Sequence, residues 1–152
     1  MIKVYRTVLA TMWLLALHGL VWANDPVGTI KSSKGPVNIE RAGGKIPAVV
    51  GGPVFVSDKV RSGADASFGI TLKDNTLLSA GPNSLIVISK FAYDTTTNVG
   101  GMSIGVRKGT LAVATGKIAK ATPESVDFHT PTSVLGVRGT EFVVEVGEGS
   151  DE

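Results

Sequence analysis

No cysteine occurs in the 152 residues, which excludes disulfides and thiolate-bound metals. Tryptophan is confined to Trp13 and Trp22, and beyond residue 23 the chain has a single histidine, His129. One histidine among scattered carboxylates lacks the spacing of a metal-ligand set, so no metal or other cofactor is expected. Helical periodicity is missing after residue 24. Gly, Pro, Asn and Asp recur too often, and the stretches between them are short and β-branched. Phosphate cradles are missing too, because Gly43-Gly44 and Gly100-Gly101 sit in hairpin contexts with no helix to follow.

What is present begins with a leader. Lys3 and Arg6 precede an apolar run from Val8 to Leu17, broken only by Thr11, and Val21-Trp22-Ala23 offers compact residues where a signal peptidase reads. Residues 1–23 are therefore expected to be a cleaved secretory signal peptide, with a mature start at Asn24. A retained anchor needs about 20 apolar residues, and His18 and Gly19 interrupt this run, so no stable membrane anchor is expected after cleavage. Cleavage leaves 129 residues, enough for one domain over 24–146 and a short acidic tail over 147–152. With Lys3 and Arg6 gone, the 15 basic residues fall to 13, level with the 13 acidic ones. A neutral surface argues against nucleic-acid binding, which relies on excess Lys and Arg. Export without disulfides points to a periplasm, or to a secreted or cell-surface location.

The remaining chain reads as all-β. Val37 to Arg41 and Lys45 to Val50 flank Ala42-Gly43-Gly44 as a hairpin. Ser67 to Lys73 alternates, with Phe68, Ile70 and Leu72 on one face, and Asp74-Asn75 then supplies a turn before Thr76 to Ser79 returns. Gly81-Pro82-Asn83 turns into Ser84 to Ser89, apolar on both faces and expected to be the most buried strand. Phe91 to Gly101 is expected to be a long exposed loop. Met102 to Arg107 and Thr110 to Thr115 are expected as two strands joined tightly by Lys108-Gly109, and Gly116 to Glu124 as a second loop. Val-Arg-x-Gly stands at Val60 to Gly63 and Val106 to Gly109, and Val137-Arg138-Gly139 echoes it. Such corners are candidates to stack on one another. Short strands and frequent turns admit a sandwich, a barrel or a β-solenoid.

The stretch Thr130 to Val146 is the most distinctive. Gly136 and Gly139, flanking Val137 and Arg138, suggest backbone in conformations that side chains forbid. After Thr140, Phe142, Val144 and Val146 share one strand face, while Glu141, Val143 and Glu145 share the other. This segment resembles the closing motif of the FecR-domain family of envelope modules. Val56 to Gly63 followed by Ala66 to Leu72 resembles the family's early signature. Asp74-Asn75-Thr76 stands where the family has Asp-Gly-Ser, and Gly81 to Ile88, Gly109 to Val113 and Phe128 to Pro131 continue the likeness. It covers roughly Val27 to Val146. Ser57 and Asn75 depart from it, each standing where the family commonly has Gly. The resemblance implies an all-β periplasmic module of β-helix, solenoid-like or sandwich-like geometry. The family's regulators also carry a cytoplasmic sigma-factor segment and a membrane helix. Here a leader begins at Met1, so the full signalling role is not implied.

Two readings attach to the corner Gly136, Val137, Arg138, Gly139 and Thr140. Arg138 either meets a carboxylate or phosphate on a partner, or staples loop carbonyls and locks the corner; the second is favoured. Asp127 and His129 lie on one strand face, opposite Val126 and Phe128, and are expected to pair in solvent. No nucleophile-elbow pattern accompanies them, so the protein is expected not to be an enzyme. Arg107, Lys108, Lys117 and Lys120 read as a solvated basic face. Tyr93 to Asn98 reads as a polar loop, since one aromatic makes a poor sugar platform. The expectation is an exported interaction module whose partner is an envelope receptor or sensor. A scaffold that binds peptidoglycan or glycans is the alternative.

Overall fold

The computed structural model describes residues 25–147. The expected leader lies outside them, as does the acidic tail after Gly147. Twelve strands follow in chain order: β1 (Gly28–Lys34), β2 (Val37–Arg41), β3 (Gly44–Pro47), β4 (Pro53–Val54), β5 (Lys59–Ser62), β6 (Ser67–Leu72), β7 (Leu77–Ala80), β8 (Leu85–Tyr93), β9 (Gly100–Ala114), β10 (Val126–His129), β11 (Val134–Gly136) and β12 (Glu141–Val146). A short helix, α1 (Lys117–Ala121), and a 3-10 turn over Pro123–Ser125 stand between β9 and β10. The fold is all-β. Its strands run β3-β2-β5-β8-β9-β7-β6-β1-β4 in one curled sheet, a half-barrel, with β10 and β12 added along β9. Every ladder among the described residues is antiparallel except β9–β10. That pattern is a curled sheet, not coils stacked in parallel.

Strand β9 makes the curl. Its first half pairs with β8 on one side and β10 on the other, and its second half with β7 and β12. No turn interrupts it at Lys108-Gly109, contrary to the sequence expectation. Gly109 instead takes φ +83°, and a Cβ there would lie 2.6 Å from Ser84 Cα. The glycine lets one strand change partners where a side chain would not fit. Met102, Ile104 and Val106 fill the interior, each at most 1% exposed. Gly101, Ser103 and Gly105 on the other face are buried as well. Neighbouring side chains cover them: Ser89 Oγ and Arg107 Nε both stand 3.6 Å from where a Gly105 Cβ would be. The most continuously buried stretch is therefore in β9, not in Ser84 to Ser89, where Leu85 and Val87 are half-buried.

Local alternation held where one face meets the core. Phe68, Ile70 and Leu72 of β6 are buried, and the β2–β3 hairpin forms in register from Asn38–Pro47 to Arg41–Gly44. The expected loop from Phe91 to Gly101 is mostly strand, because β8 and β9 pair as far as Tyr93 and Gly100. Only Asp94 to Val99 turns. There Asp94 Oδ1 accepts from Thr96 N at 2.7 Å and Thr97 N at 3.2 Å. These backbone donors hold the Asp94 carboxyl below the usual carboxylate range. The second expected loop contains α1, whose Ile118 is fully buried. Across the half-barrel, Phe128 of β10 meets Phe142 of β12 edge-to-face, with centroids 5.0 Å apart.

Candidate functional site

The acidic residues of the early motifs are structural. Asp58, 1% exposed, accepts Arg41 Nε at 2.8 Å and Arg41 Nη2 at 2.7 Å, and its Oδ2 also accepts Phe55 N at 2.9 Å. Arg41 in turn lies 4.4 Å from the Phe55 ring centroid. The bond to Asp58, outweighing partial burial, raises the guanidinium's pKa. This clasp ties the β2–β3 hairpin to the start of β5. Asp74, fully buried, accepts Thr76 N at 3.1 Å, Thr76 Oγ1 at 2.8 Å and Ile118 N at 3.3 Å. It therefore fixes α1 from far along the chain, where a backbone N–H of the first turn would otherwise be orphaned. Ser57 (φ 73°) and Asn75 (φ 68°) both take left-handed backbone. That accounts for glycine as the residue the family prefers at both positions.

Two of the Val-Arg-x-Gly corners are joined through the turn at Ser84, which lies between them, and do not stack directly. Ser62 Oγ donates to Gly81 O at 2.7 Å and accepts Ser84 N at 2.9 Å. Ser84 Oγ accepts Thr110 N at 3.1 Å. The Ser62 and Ser84 hydroxyls and the Thr110 backbone form a ladder that joins β5, the turn before β8, and β9.

The third corner stands apart. Gly136, Arg138, Gly139 and Thr140 are exposed, and Val137 alone is buried, at 8% exposure. Neither Gly136 nor Gly139 has a positive φ, and nothing lies within 4 Å of a Cβ added to either. The sequence expectation of forbidden backbone there is thus corrected: an alanine would fit at both places. Arg138 makes no hydrogen bond or ion pair with any described residue, so it does not staple the loop carbonyls. Thr115 does that work. Its N–H donates to Thr140 O at 2.8 Å and its hydroxyl to Gly139 O at 2.9 Å. Sequence reading missed Thr115, which carries no signal beyond a β-branched polar residue at a strand end.

Around the corner the surface is apolar in spots. Val134 is 66% exposed and Leu135 38% on edge strand β11, which among the described residues pairs only with β10. The turn before it is closed by Thr130 N to Ser133 O at 2.8 Å and Ser133 N to Thr130 Oγ1 at 3.0 Å. Asp127 Oδ1 lies 2.6 Å from His129 Nε2, with both side chains over a third exposed, but the contact lacks hydrogen-bond geometry and leaves Oδ1 buried without a hydrogen-bond partner. No serine or threonine hydroxyl among the described residues hydrogen-bonds His129. Nor do three or more His, Cys, Asp or Glu side chains among them gather to hold a metal ion. Tyr93 OH donates to Asn98 Oδ1 at 2.8 Å, so this phenol serves its own turn.

A family model described as FecR protein matches residues 58–152. The chain belongs to the FecR protein family. The match starts at the buried Asp58 of the first clasp and takes in the two corners joined through Ser84 and the exposed one. Strands β1 to β4 precede it. No curated protein and no solved structure matches the chain. In this FecR domain the motifs that name the family therefore divide by duty. Those up to Thr110 are bonded inside the domain through side chains, whereas at Gly136 to Thr140 the internal hydrogen bonds fall on the Gly139 and Thr140 carbonyls and the Arg138 side chain has none with a described residue.

Proposed function

We propose that this FecR-family chain is a non-enzymatic protein–protein interaction module of the cell envelope. It works in the periplasm or at the cell surface after its leader is removed, resembling the periplasmic part of FecR-type regulators. Its partner is an envelope receptor or sensor. The observation that carries this reading is the contrast within the motifs. The corner Gly136, Val137, Arg138, Gly139 and Thr140 joins two strands that each leave one edge unpaired among the described residues, β11 and β12, and its arginine has no hydrogen bond or ion pair with a described residue. Exposed apolar and arginine side chains beside unpaired strand edges are what protein interfaces draw on. Among the described residues no helix is long and apolar enough to cross a membrane.

Photocrosslinking from position 135 in intact cells tests the proposal. The expected result is a discrete adduct with one envelope protein, identified by mass spectrometry as a receptor or sensor. Sedimentation of the purified chain with peptidoglycan, without any protein adduct, would instead support the scaffold alternative and remove this one.

A further inference from the structure

Strand β12 has β9 along one edge over Glu141–Val146, and no described residue pairs with its other edge. One contact sets the phase of that free edge. Thr115 N–H donates to the Thr140 carbonyl, so Thr140 turns its carbonyl towards β9, and strand alternation sends Phe142, Val144 and Val146 the same way. Glu141, Val143 and Glu145 therefore direct their N–H and C=O groups outwards. The same three residues have exposed side chains on the outer face, Val143 at 65%. Beside Val143 lies a shallow depression of about 440 Å³ lined by Leu77, Ser79, Ala112 and Ala114.

A free edge accepts another strand, and its side chains select which one. A second copy is disfavoured. The antiparallel register centred on Val143 sets Glu141 of each copy against Glu145 of the other, so like charges oppose each other twice. A strand with basic residues flanking an apolar one turns both repulsions into attractions and covers Val143. We infer that β12 is a docking edge for an extended segment of another protein with the pattern Lys/Arg–x–apolar–x–Lys/Arg, added as the next strand of the sheet. This rests on the interaction-module reading and narrows it to one edge and one partner chemistry. Backbone bonds and the contact with Val143 supply the affinity, while the exposed ion pairs supply the choice.

The probe is a synthetic peptide, Thr-Lys-Thr-Val-Thr-Lys-Thr, titrated into the full chain by fluorescence anisotropy against its twin with Glu in place of Lys. Saturable binding of the Lys peptide alone is expected. Val143→Pro should abolish it; the lost N–H points away from β9, so the β9 ladder and the thermal midpoint survive. Glu141→Lys with Glu145→Lys should weaken the Lys peptide about tenfold and admit the Glu peptide. Equal binding of both peptides, or binding indifferent to Val143→Pro, overturns the inference. So does a dimer in sedimentation velocity that Val143→Pro dissolves, which would give the edge to a second copy. If the Lys peptide fails to bind the unmutated chain while the envelope adduct from position 135 still forms, the edge falls and the interaction module stands. Loss of the adduct in the unmutated chain removes the module itself.

Discussion

The corners Val106 to Gly109 and Val137 to Gly139 look alike in sequence, and each buries its valine and exposes its arginine, yet their glycines differ. At the first, Gly109 has φ +83° and its Cβ position is filled by Ser84. Beside it Thr110 N is held by Ser84 Oγ. At the second, the glycines have ordinary backbone and open space, and the arginine faces solvent. Glycine at the first corner is required by the fold. Glycine at the second is required by no positive φ and by no close neighbour among the described residues. A family motif is thus not one kind of object; only the surroundings of each residue separate a folding constraint from a contact surface.

The sharpest way to break this comparison is to put the same methyl group at both corners. Gly109→Ala must place a Cβ against Ser84 backbone at positive φ, and is expected to cost about 3 kcal/mol. Gly139→Ala is expected to stay within about 0.5 kcal/mol of the parent. Urea midpoints of the two variants decide it, and equal losses would mean that both corners are structural. Next in size is Ser84→Ala, which removes the acceptor of Thr110 N from the ladder and should cost about 2 kcal/mol.

The same comparison explains what was legible in the sequence. Alternation in β6 and β12 and the β2–β3 hairpin could be read because their cause is local: period two against one buried face. Phe142, Val144 and Val146 do face inwards, and Val143 is exposed. The continuity of β9 could not be read, because Lys-Gly is also a turn signal and the reason for Gly109 sits at Ser84, whose hydroxyl is bonded across 26 positions. Helix α1 was missed for the same reason. Five residues have little helical pattern, and the carboxylate that fixes its first turn is Asp74, 44 positions earlier. At the candidate site the corner itself was found and its fastening was not. Arginine has five donors and invites the role of staple, yet the donor that closes the loop is the hydroxyl of Thr115.

Thr115→Val sharpens the point at smaller magnitude. The valine keeps the strand's shape and the backbone bond to Thr140 O, and loses the hydroxyl's bond to Gly139 O with its longer one to Thr140 O. The expected cost is about 1 kcal/mol. Because the corner is exposed and lightly held, the loss should appear as faster hydrogen exchange confined to residues 136–140, with β9 unchanged. Exchange that quickened throughout the sheet would show the corner to be part of the core's cooperative unit.

The smallest expected effect on stability is the most telling for function. Arg138→Ala removes an exposed side chain with no hydrogen bond or ion pair to any described residue, so the urea midpoint should move by less than about 0.5 kcal/mol. A staple would behave otherwise, since removing it would leave loop carbonyls without donors and the midpoint would fall. If Arg138 serves a partner, the same variant should weaken the envelope adduct formed from position 135. Arg138→Lys should not restore it fully, because an ammonium keeps the charge but loses the planar, paired donors that grip a carboxylate. Full rescue by lysine would assign the residue to general charge attraction. No change in either variant would move the contact surface off the corner and onto the neighbouring edges of β11 and β12.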